Sequence, residues 1–552
     1  MQKVWDIGEQ TSLGTSFICA MVLLALPLIH AGGFGLASPV SAAIWCLTIT
    51  GALVAFITVT RRSTFYFYKS DWALFVGLLF FSIANLWRWQ TSTEPQLLLL
   101  LLLSVFIFII ARQHETVRLQ VFIETIAFGA IIQAVYAWLL FAGAFNSLGL
   151  ETDLLVGGFL HTNVLASFLA TGIAALGAAL TTQTNHSPTR QAYLLIGLFF
   201  LSVTLVSIGS RTGWISGVAV LALSCLHLKP IDRRKFLLMS LLGLVFALYL
   251  QSIVPALNER VAGRFEATTN GRFPVWRVTL DLILHKPFLG YGFDNFAREH
   301  AEAWAQLVYS GIETRSSWNF EHPHNFLLNW WFVGGLGSVM GFLVIAYWHA
   351  GALLKISRKE AVIFGALMVP IYLHMQTEFP FQLSPLHLVI VILIVALLSQ
   401  RVSAGETEGP IVVGVSKRLR AAIATTMALA CLILANESRN SWYIQRVMHL
   451  PNEYASDLQR VTLPIFSLSR YHDALAIASL QEARNTGDLK LYSLVAKWAT
   501  EKVKTTPKPT IYEALLEAEI ALNNTETAVA TYQHMLFLFP NYPFSYEVRQ
   551  GE

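Results

Sequence analysis

The sequence predicts an all-α protein, a polytopic membrane bundle of about 12–13 transmembrane helices with one large loop and a helical C-terminal region. Of its 552 residues, 55% are hydrophobic and only 13% are charged, whereas soluble proteins carry about a quarter charged residues. The mean hydropathy is +0.54. A bilayer core requires about 20 apolar residues per helix. Runs that approach this length lie near residues 13–33, 40–60, 72–87, 97–111, 120–143, 162–181, 192–209, 212–228, 236–254, 325–348, 361–376, 386–400 and 419–435.

The basic residues of the short loops predict how the bundle is oriented. Eighteen Lys and Arg residues fall on one side of the thirteen runs, and the short loops of the other side contain only Arg88 and Arg211. Because positive loops stay in the cytoplasm, the N-terminus is expected there. The apolar run from Leu13 is too long for a cleavable signal peptide and is interpreted as the first span. Thirteen spans then place both the long loop 255–324 and the C-terminal tail outside the cytoplasm.

Several classes of function are disfavoured by composition and motifs. A net charge of +4 is too small to indicate a nucleic-acid partner. The four cysteines, Cys19, Cys46, Cys225 and Cys431, lie inside apolar stretches without CxxC or Cys/His spacing, so neither disulfides nor a zinc site is expected. The chain has no Walker motif, no GxGxxG and no paired acidic motif for a divalent cation. We therefore expect no cofactor and no metal.

Two regions outside the spans are long enough to fold. The loop 255–324 is rich in aromatic residues, and Pro274–Lys286 (PVWRVTLDLILHK) is predicted to form a helix with proline at its first position, along the membrane surface. The tail contains Tyr512–Pro540, which is predicted to be a helix, an Asn-Asn break and a second helix. This pattern resembles a tetratricopeptide unit. We divide the chain into a membrane domain, 1–435, and a helical region, 436–552.

The most informative motif is Glu321-His322-Pro323-His324-Asn325, directly before an apolar helix. Proline disfavours a helical conformation in the preceding residue, so the helix is expected to begin at Pro323 or His324. Free N–H groups at a helix N-terminus favour an anion and disfavour imidazolium. His324 would then be neutral and able to accept a proton near pH 7. The alternative is an interfacial histidine pair without a role.

Arginines on the outer face form the second signal, because the positive-inside tendency disfavours them there. Arg211 lies in SRTG at a tight turn between two spans, and Arg272 and Arg277 lie in GRFPVWR. The planar guanidinium suits phosphate oxygens and remains charged. An arginine beside apolar segments indicates function unless its side chain extends to lipid headgroups. We favour function for Arg211.

Weaker signals surround these motifs. Gly290–Phe296 (GYGFDNF) is predicted to be a turn that lets the backbone approach another element closely. His161 and Asn163 open a span, where they either reach the outer cavity or cap the helix. Glu378, in a short outer loop, is expected either to orient an arginine or histidine or to cap a helix.

The order of these motifs resembles the O-antigen ligase and polymerase superfamily. The resemblance rests on SRTG at 210–213, GRFPVWR at 271–277, HKPFLGYGFDNF at 285–296 and HPHN at 322–325, and covers roughly residues 150–400. It implies a glycosyltransferase that uses a glycan on undecaprenyl pyrophosphate, outside the cytoplasm of a bacterial inner membrane. By this resemblance His324 is catalytic, and Arg211, Arg272 and Arg277 bind the pyrophosphate. Supporting roles are expected for His322, Asn325, His161, Asn163 and Glu378.

Three branches of this superfamily differ in the acceptor. The length of the chain, the HPHN form, the repeat-like tail and Gln376–Pro380 (QTEFP) resemble the protein O-oligosaccharyltransferases, which implies Ser and Thr hydroxyls of exported, pilin-like proteins as acceptors. The first alternative is an O-antigen ligase that loads lipid A core. A transporter would place ionisable groups at the bilayer midplane, and a non-catalytic scaffold would leave HPHN unexplained. Membrane lipids are the other expected partners.

Overall fold

Long helices dominate the part of the chain that the computed structural model describes. Described are residues 35–59, 64–87, 93–113, 119–144, 154–159, 161–182, 187–259, 272–312, 320–405, 409–540 and 542. The predicted first span, 13–33, lies outside these residues. We number the elements in chain order over the described ranges.

The membrane part contains twelve long helices within these ranges, with the loop helices α9 and α10 between them. In chain order, these twelve helices and the two loop helices are α1 (Pro39–Val59), α2 (Trp72–Leu86), α3 (Thr93–Arg112), α4 (Leu119–Phe141), α5 (Thr162–Thr182), α6 (Pro188–Ser207), α7 (Arg211–His227), α8 (Pro230–Ile253), α9 (Arg272–His285), α10 (Phe296–Tyr309), α11 (Phe326–Leu354), α12 (Arg358–Met375), α14 (Pro385–Ser403) and α15 (Lys417–His449). The short α13 (Pro380–Leu383) precedes α14. Strands β1 (Thr64–Phe67) and β2 (Ile411–Gly414) connect α1 to α2 and α14 to α15.

The predicted spans after the first agree with the helices of the bundle. Among the described residues, ten helices are long and apolar enough to cross a membrane. The remaining two, α7 and α12, stand where spans were predicted. The first has only 17 residues, and the second starts with three charged residues, Arg358-Lys359-Glu360. Both pack against α5 in the interior of the bundle. The prediction of an all-α membrane bundle is therefore confirmed.

Helix α5 lies at the centre of the bundle and is buried along nearly its whole length. Alanine and glycine residues along it allow its neighbours to approach closely, and a Cβ on Gly172 would lie 2.3 Å from the Cβ of Ala130 in α4. Close packing through small residues is typical of membrane helix interfaces. Helix α5 begins at the same end of the bundle as His324 and Glu378, which we call the site end. The opposite end, where Arg112 and Lys359 lie, is the basic end.

Helix α11 is broken in the middle by Gly335, whose φ of 65° and ψ of −158° are not helical. The N–H groups of Tyr291 and Gly292 donate to the carbonyls of Phe332 and Val333, at 2.7 and 2.9 Å. The loop between α9 and α10 thus supplies hydrogen bonds that the broken helix lacks, as buried backbone requires. The predicted close approach of the GYG turn is found, and its partner is α11.

The described part of the loop between α8 and α11 forms two helices, and the first of them begins at a different residue from the one predicted. Helix α9 begins at Arg272, two residues before Pro274, so the proline is third in the helix. The first N–H groups of a helix have no partner within the helix, so proline is tolerated there as well. Helix α10 packs one face on the aromatic residues of α11 through Phe296 and Trp304.

The connection between α14 and α15 contains a strand. Residues 411–414 pair antiparallel with residues 64–67, in the register Thr64 with Gly414. The side chain of Gln113 extends this arrangement, because its amide bonds both the N–H and the C=O of Tyr66. Local periodicity does not reveal this strand, because it has only four residues and its partner is almost 350 residues away.

The tail consists of paired helices, as the pattern of its sequence predicts. These are α16 (Pro451–Tyr454), α17 (Leu468–Thr486), α18 (Leu489–Val503), α19 (Pro509–Ala521) and α20 (Thr525–Leu538). Asn523 and Asn524 form the break between α19 and α20 that the sequence predicts. The 33 residues of α15 continue through the proposed boundary at residue 435, so that boundary stays a prediction, as does the likeness to tetratricopeptide repeats.

The base of the tail is fastened by one fully buried carboxylate. Glu437 of α15 accepts hydrogen bonds from the N–H and the hydroxyl of Ser467, at 3.1 and 2.7 Å. Arg470 of α17 donates to the carbonyl of Ala37, beside the start of α1, at 2.7 Å. The tail is therefore joined to the bundle by side-chain contacts as well as by the chain itself.

Candidate active site

The HPHN motif forms a loop that ends in a capped helix. Asn325 is the N-cap of α11, since its side-chain oxygen accepts the N–H of Leu328 at 3.0 Å. The expectation that the helix begins at Pro323 or His324 is wrong. An asparagine that can satisfy a free N–H group is a better N-cap than either residue. His324 precedes the cap with a φ of +49°, in the left-handed region that a residue other than glycine rarely adopts.

His324 and Glu378 form the central pair of the site. The Nδ1 atom of His324 lies 2.8 Å from Oε1 of Glu378. A carboxylate accepts only, so the ring donates from Nδ1 and its Nε2 carries the lone pair when the ring is neutral. The Glu378 side chain is 9% exposed and that of His324 is 29% exposed. Glu378 makes the contact that orienting a histidine requires, and its role stays a prediction.

The loop that carries Glu378 is fixed on both sides. Asn325 donates from its amide to the carbonyl of Gln376 at 3.0 Å. The hydroxyl of Thr377 lies 3.0 Å from that of Thr212, in the first turn of α7. The N–H of Glu378 itself donates to the carbonyl of His374 at 2.9 Å. The end of α12 thus joins the start of α7 to the start of α11.

The arginines of the two motifs lie at neighbouring helix starts. Arg211 is the first residue of α7, whose N-cap Ser210 accepts the N–H of Gly213 at 3.1 Å. The Ser210 hydroxyl donates to Oδ1 of Asn163 at 2.8 Å, so Asn163 fastens this turn to α5 and does not cap its own helix. Arg272 is the first residue of α9 and interacts electrostatically with both Arg211 and Glu378. Two positive charges therefore converge beside the His324–Glu378 pair.

The pKa values show how the charges are balanced. Burial tends to raise the pKa of Glu378, but the hydrogen bond from His324 and the charge of Arg272 hold it below its usual value. Burial, together with Arg211, lowers the pKa of Arg272, which Glu378 opposes. Burial lowers the pKa of His322 to about 4, so this ring is neutral near pH 7. Its Nδ1 accepts the backbone N–H of His324 at 3.3 Å.

The other predicted site residues differ in their positions. His161, just before α5, interacts electrostatically with both Glu378 and His324. The side chain of Arg277 is exposed, and no contact among the described residues joins it to the cluster. Trp276 was not predicted, yet its indole N–H donates to the carbonyl of Pro323 at 2.8 Å. Its position beside Arg277 gives no signal of this contact, because Pro323 is 47 residues away.

A buried chain of hydrogen bonds behind the site was also missed. The hydroxyl of Ser167 lies 2.8 Å from Nδ1 of His374 and 3.0 Å from Nε2 of His387, and Nδ1 of His387 lies 2.9 Å from the hydroxyl of Ser384. All four side chains are buried. His374 is one helical turn before Glu378, so this chain supports the helix end that carries the carboxylate. Single polar residues inside apolar runs give no pattern that predicts such a network.

One group of side chains has the geometry to hold a metal ion. His322, His324 and Glu378 each offer a ligand atom, and these atoms lie within 4.8 Å of one another. Two histidines and a carboxylate suit a transition metal. In the arrangement described here, the ring of His324 and the carboxylate bond each other directly. A metal would have to replace that hydrogen bond.

Two family models and a known protein match parts of this chain. Residues 196–346 match the family model described as O-antigen ligase, and residues 362–550 match the model described as virulence factor membrane-bound polymerase, C-terminal. The first match contains Arg211, Arg272 and His324, and the second contains Glu378 and the tail. The chain is also 26% identical over 201 residues to the ComP-specific O-oligosaccharyltransferase of Acinetobacter baylyi (strain ATCC 33305 / BD413 / ADP1). That alignment covers 33% of this chain and 33% of the relative.

Proposed function

We propose that this chain, which belongs to the O-antigen ligase superfamily, transfers a preassembled oligosaccharide from undecaprenyl pyrophosphate to Ser or Thr hydroxyls of exported proteins. The observation that carries the proposal is the convergence of two arginines on a histidine–carboxylate pair at one end of a membrane bundle. That the chain is a glycosyltransferase follows from its relatives. The donor, the acceptor and the residue roles are part of the proposal.

Arg211 and Arg272 bind the pyrophosphate in this proposal. Each begins a helix, so the free N–H groups of α7 and α9 add to the positive potential at the same place. Arg272 is partly withdrawn from solvent, which strengthens its interaction with an anion. As the bond from the anomeric carbon to the pyrophosphate breaks, the electron pair leaves with the pyrophosphate. The arginines stabilise the charge that develops there.

His324 acts on the acceptor. Its Nδ1 is engaged by Glu378, which leaves Nε2 to accept the proton of the hydroxyl while the hydroxyl oxygen bonds the anomeric carbon. Glu378 stabilises the imidazolium that results, in the way that the carboxylate of a catalytic triad does. The arginines supply the counter-charge, so we propose a metal-independent reaction.

The acceptor class rests on the relative. The protein from Acinetobacter baylyi is named for a ComP-specific O-oligosaccharyltransferase activity, and together with the tail it favours a protein acceptor for this chain. The O-antigen ligase model favours lipid A core as the second candidate. For either acceptor the site end would face the periplasm of a bacterial inner membrane, with the N-terminus in the cytoplasm. The excess of basic residues at the other end supports this orientation.

Reconstitution tests the proposal. The purified protein is mixed with undecaprenyl-pyrophosphate-linked glycan in EDTA and offered a pilin-like protein and a lipid A core. Glycan on the protein is the expected result, and it would establish the acceptor and the metal-free reaction together. Glycan on the lipid core alone would move the function to O-antigen ligation. His324→Ala should abolish transfer while expression is preserved, and persistent glycosylation would remove the histidine from the mechanism.

A further inference from the structure

The tip of the tail docks on the loop helix α10. Ala301 and Ala305, one turn apart on α10, are buried against the α19–α20 hairpin. Tyr309 stacks on Phe537 of α20, with ring centroids 5.3 Å apart. The buried residues that the hairpin contributes are Tyr512, Leu516, Ala528, Met535, Leu538 and Phe539. This apolar contact fixes the start of α19 relative to the loop.

The same docking brings a charged residue of the tail to the HPHN loop. Lys508, the N-cap of α19, forms an ion pair with Glu321, which directly precedes His322. Both side chains are partly exposed. The neighbouring Phe320 has ring contacts with His300 of α10 and with His324, at centroid distances of 5.5 and 6.1 Å. The tail therefore reaches the candidate catalytic residue through a segment of four residues.

Every residue of the segment 320–325 is held by a different contact. Phe320 contacts His300, Glu321 contacts Lys508, His322 contacts Phe379, Pro323 contacts Trp276, His324 contacts Glu378, and Asn325 contacts Gln376. Among these contacts, Lys508 is the one that comes from the tail.

The backbone of His324 explains why several contacts are needed. Its φ of +49° lies in the left-handed region, which is unfavourable for residues other than glycine, and such conformations persist only where the surroundings impose them. Removing one contact would let the loop relax toward ordinary backbone angles. The ring would then leave its place between Glu378 and the acceptor.

We infer that Lys508 is a positioning residue of the transferase, which acts through Glu321 to hold His324 in its left-handed conformation. The inference rests on the proposed function of His324. It assigns the tail a part in building the active site, in addition to any part in acceptor recognition. In this inference the ion pair acts through the backbone of the HPHN loop, so its loss should change kcat and leave the KM for the lipid donor unchanged.

Charge reversal tests the ion pair. Lys508→Glu and Glu321→Lys should each lower kcat roughly five-fold, as expected for a partly exposed ion pair that is replaced by repulsion. The double variant K508E/E321K should recover most of the loss, and Lys508→Arg should retain activity. Lys504→Glu is the matched control, because the one ion pair of Lys504 among the described residues is with Glu501 of the same helix end, at 2.7 Å. It should behave as the wild type.

A second measurement does not depend on glycan transfer. Carbethoxylation of His324 by diethyl pyrocarbonate, followed by peptide mass spectrometry, reports the exposure of the ring. The rate should rise several-fold in each single reversal and return in the double variant. Single reversals that match the wild type in both measurements would overturn the inference, as would a double variant that recovers nothing. If the wild type glycosylates neither acceptor, the proposed function fails, while the modification rates still decide the role of Lys508.

Discussion

Glu378 engages His324 with only one of its two carboxylate oxygens. The other, Oε2, is buried and has no hydrogen-bond partner among the described residues. A buried acceptor without a donor is costly unless a positive charge compensates it. Arg272 supplies that charge, and the hydrogen bond that His324 donates to the other oxygen adds to it, since both lower the pKa of the carboxyl. Glu378 thus couples Arg272, which we propose to bind the pyrophosphate, to the histidine.

Replacing this carboxylate tests its role. Glu378→Gln keeps the size of the side chain but removes the charge that stabilises imidazolium, so kcat should fall by roughly two orders of magnitude or more. The KM for the lipid donor should change little. The check is steady-state transfer kinetics, with Glu302→Gln, a half-buried glutamate of α10, as the control. A kcat within two-fold of the wild type would show that proton transfer to His324 does not depend on Glu378.

His322 gives the protein a sensitivity to acid. Its pKa is about 4 in the folded protein and 6.5 ordinarily, so between these pH values the unfolded chain binds the proton more readily. This contribution to stability is complete above pH 6.5 and is lost as the pH falls toward 4. The midpoint of thermal unfolding should drop from pH 7 to pH 5 by more in the wild type than in His322→Asn. Equal drops would contradict the assignment.

At the scale of elements, the break in α11 joins the loop to the bundle. A Cβ on Gly335 would lie 2.2 Å from the carbonyl oxygen of Phe288, and a Cβ on Gly290 would lie 2.5 Å from that of Phe332. Backbone therefore meets backbone on both sides, where only glycine fits. Helix α9 carries Arg272, and the start of α11 follows His324. The contact between the turn at Gly290 and the break at Gly335 consequently fixes the distance between Arg272, proposed to bind the donor, and His324, proposed to act on the acceptor.

Two alanine substitutions in α11 distinguish the effect of this backbone contact on stability from the effect of helix propensity. Gly335→Ala combines the clash with a positive φ and should destabilise the protein by about 3 kcal/mol or more. Gly351→Ala, which meets no atom within 4 Å, should be neutral or slightly stabilising. Thermal unfolding in detergent measures both. Similar midpoints of unfolding for the two variants would mean that the contact between the loop and α11 does not require the break at Gly335.

The elements also show what the sequence can and cannot predict. Apolar runs predict the spans because burial in lipid depends on local composition. The motifs predict the family, which the comparisons confirm. The break at Gly335, the Trp276–Pro323 bond and the Lys508–Glu321 pair are contacts between distant segments, and no local pattern encodes them. For Glu378 the sequence left two roles open, and only the position of His324 decides between them.

At the scale of the whole molecule, the two ends of the bundle differ in what their buried charges do. At the basic end, Arg112 pairs with Asp71 at 3.3 Å, and both side chains are almost fully buried. Ser399 donates to Asp71, Arg112 donates to Ser403, and the guanidinium lies 4.2 Å from the ring centroid of Tyr68. This ion pair joins α3, α14 and the start of α2. Its groups are all paired with one another, as in a structural site.

Breaking that ion pair should affect stability without affecting chemistry. Asp71→Ala leaves Arg112 buried without its counter-charge, which costs about 3–5 kcal/mol. The midpoint of unfolding should fall accordingly, while kcat per folded molecule is unchanged. Glu360→Gln, which removes the more exposed pair with Arg401, should cost about 1 kcal/mol or less. A loss of kcat in Asp71→Ala that exceeds the loss of folded protein would show that the two ends are coupled.

The order of segments along the chain matters for how the broken helix is made. The carbonyls of Phe332 and Val333 would face lipid with no donor if α11 entered the bilayer alone, at a cost of several kcal/mol. Their donors, Tyr291 and Gly292, precede them in the chain and so leave the ribosome first. During biosynthesis the donors are therefore already synthesised when the discontinuous span leaves the ribosome. In a circular permutant with this order reversed, α11 would enter the membrane before its hydrogen-bond donors had been synthesised.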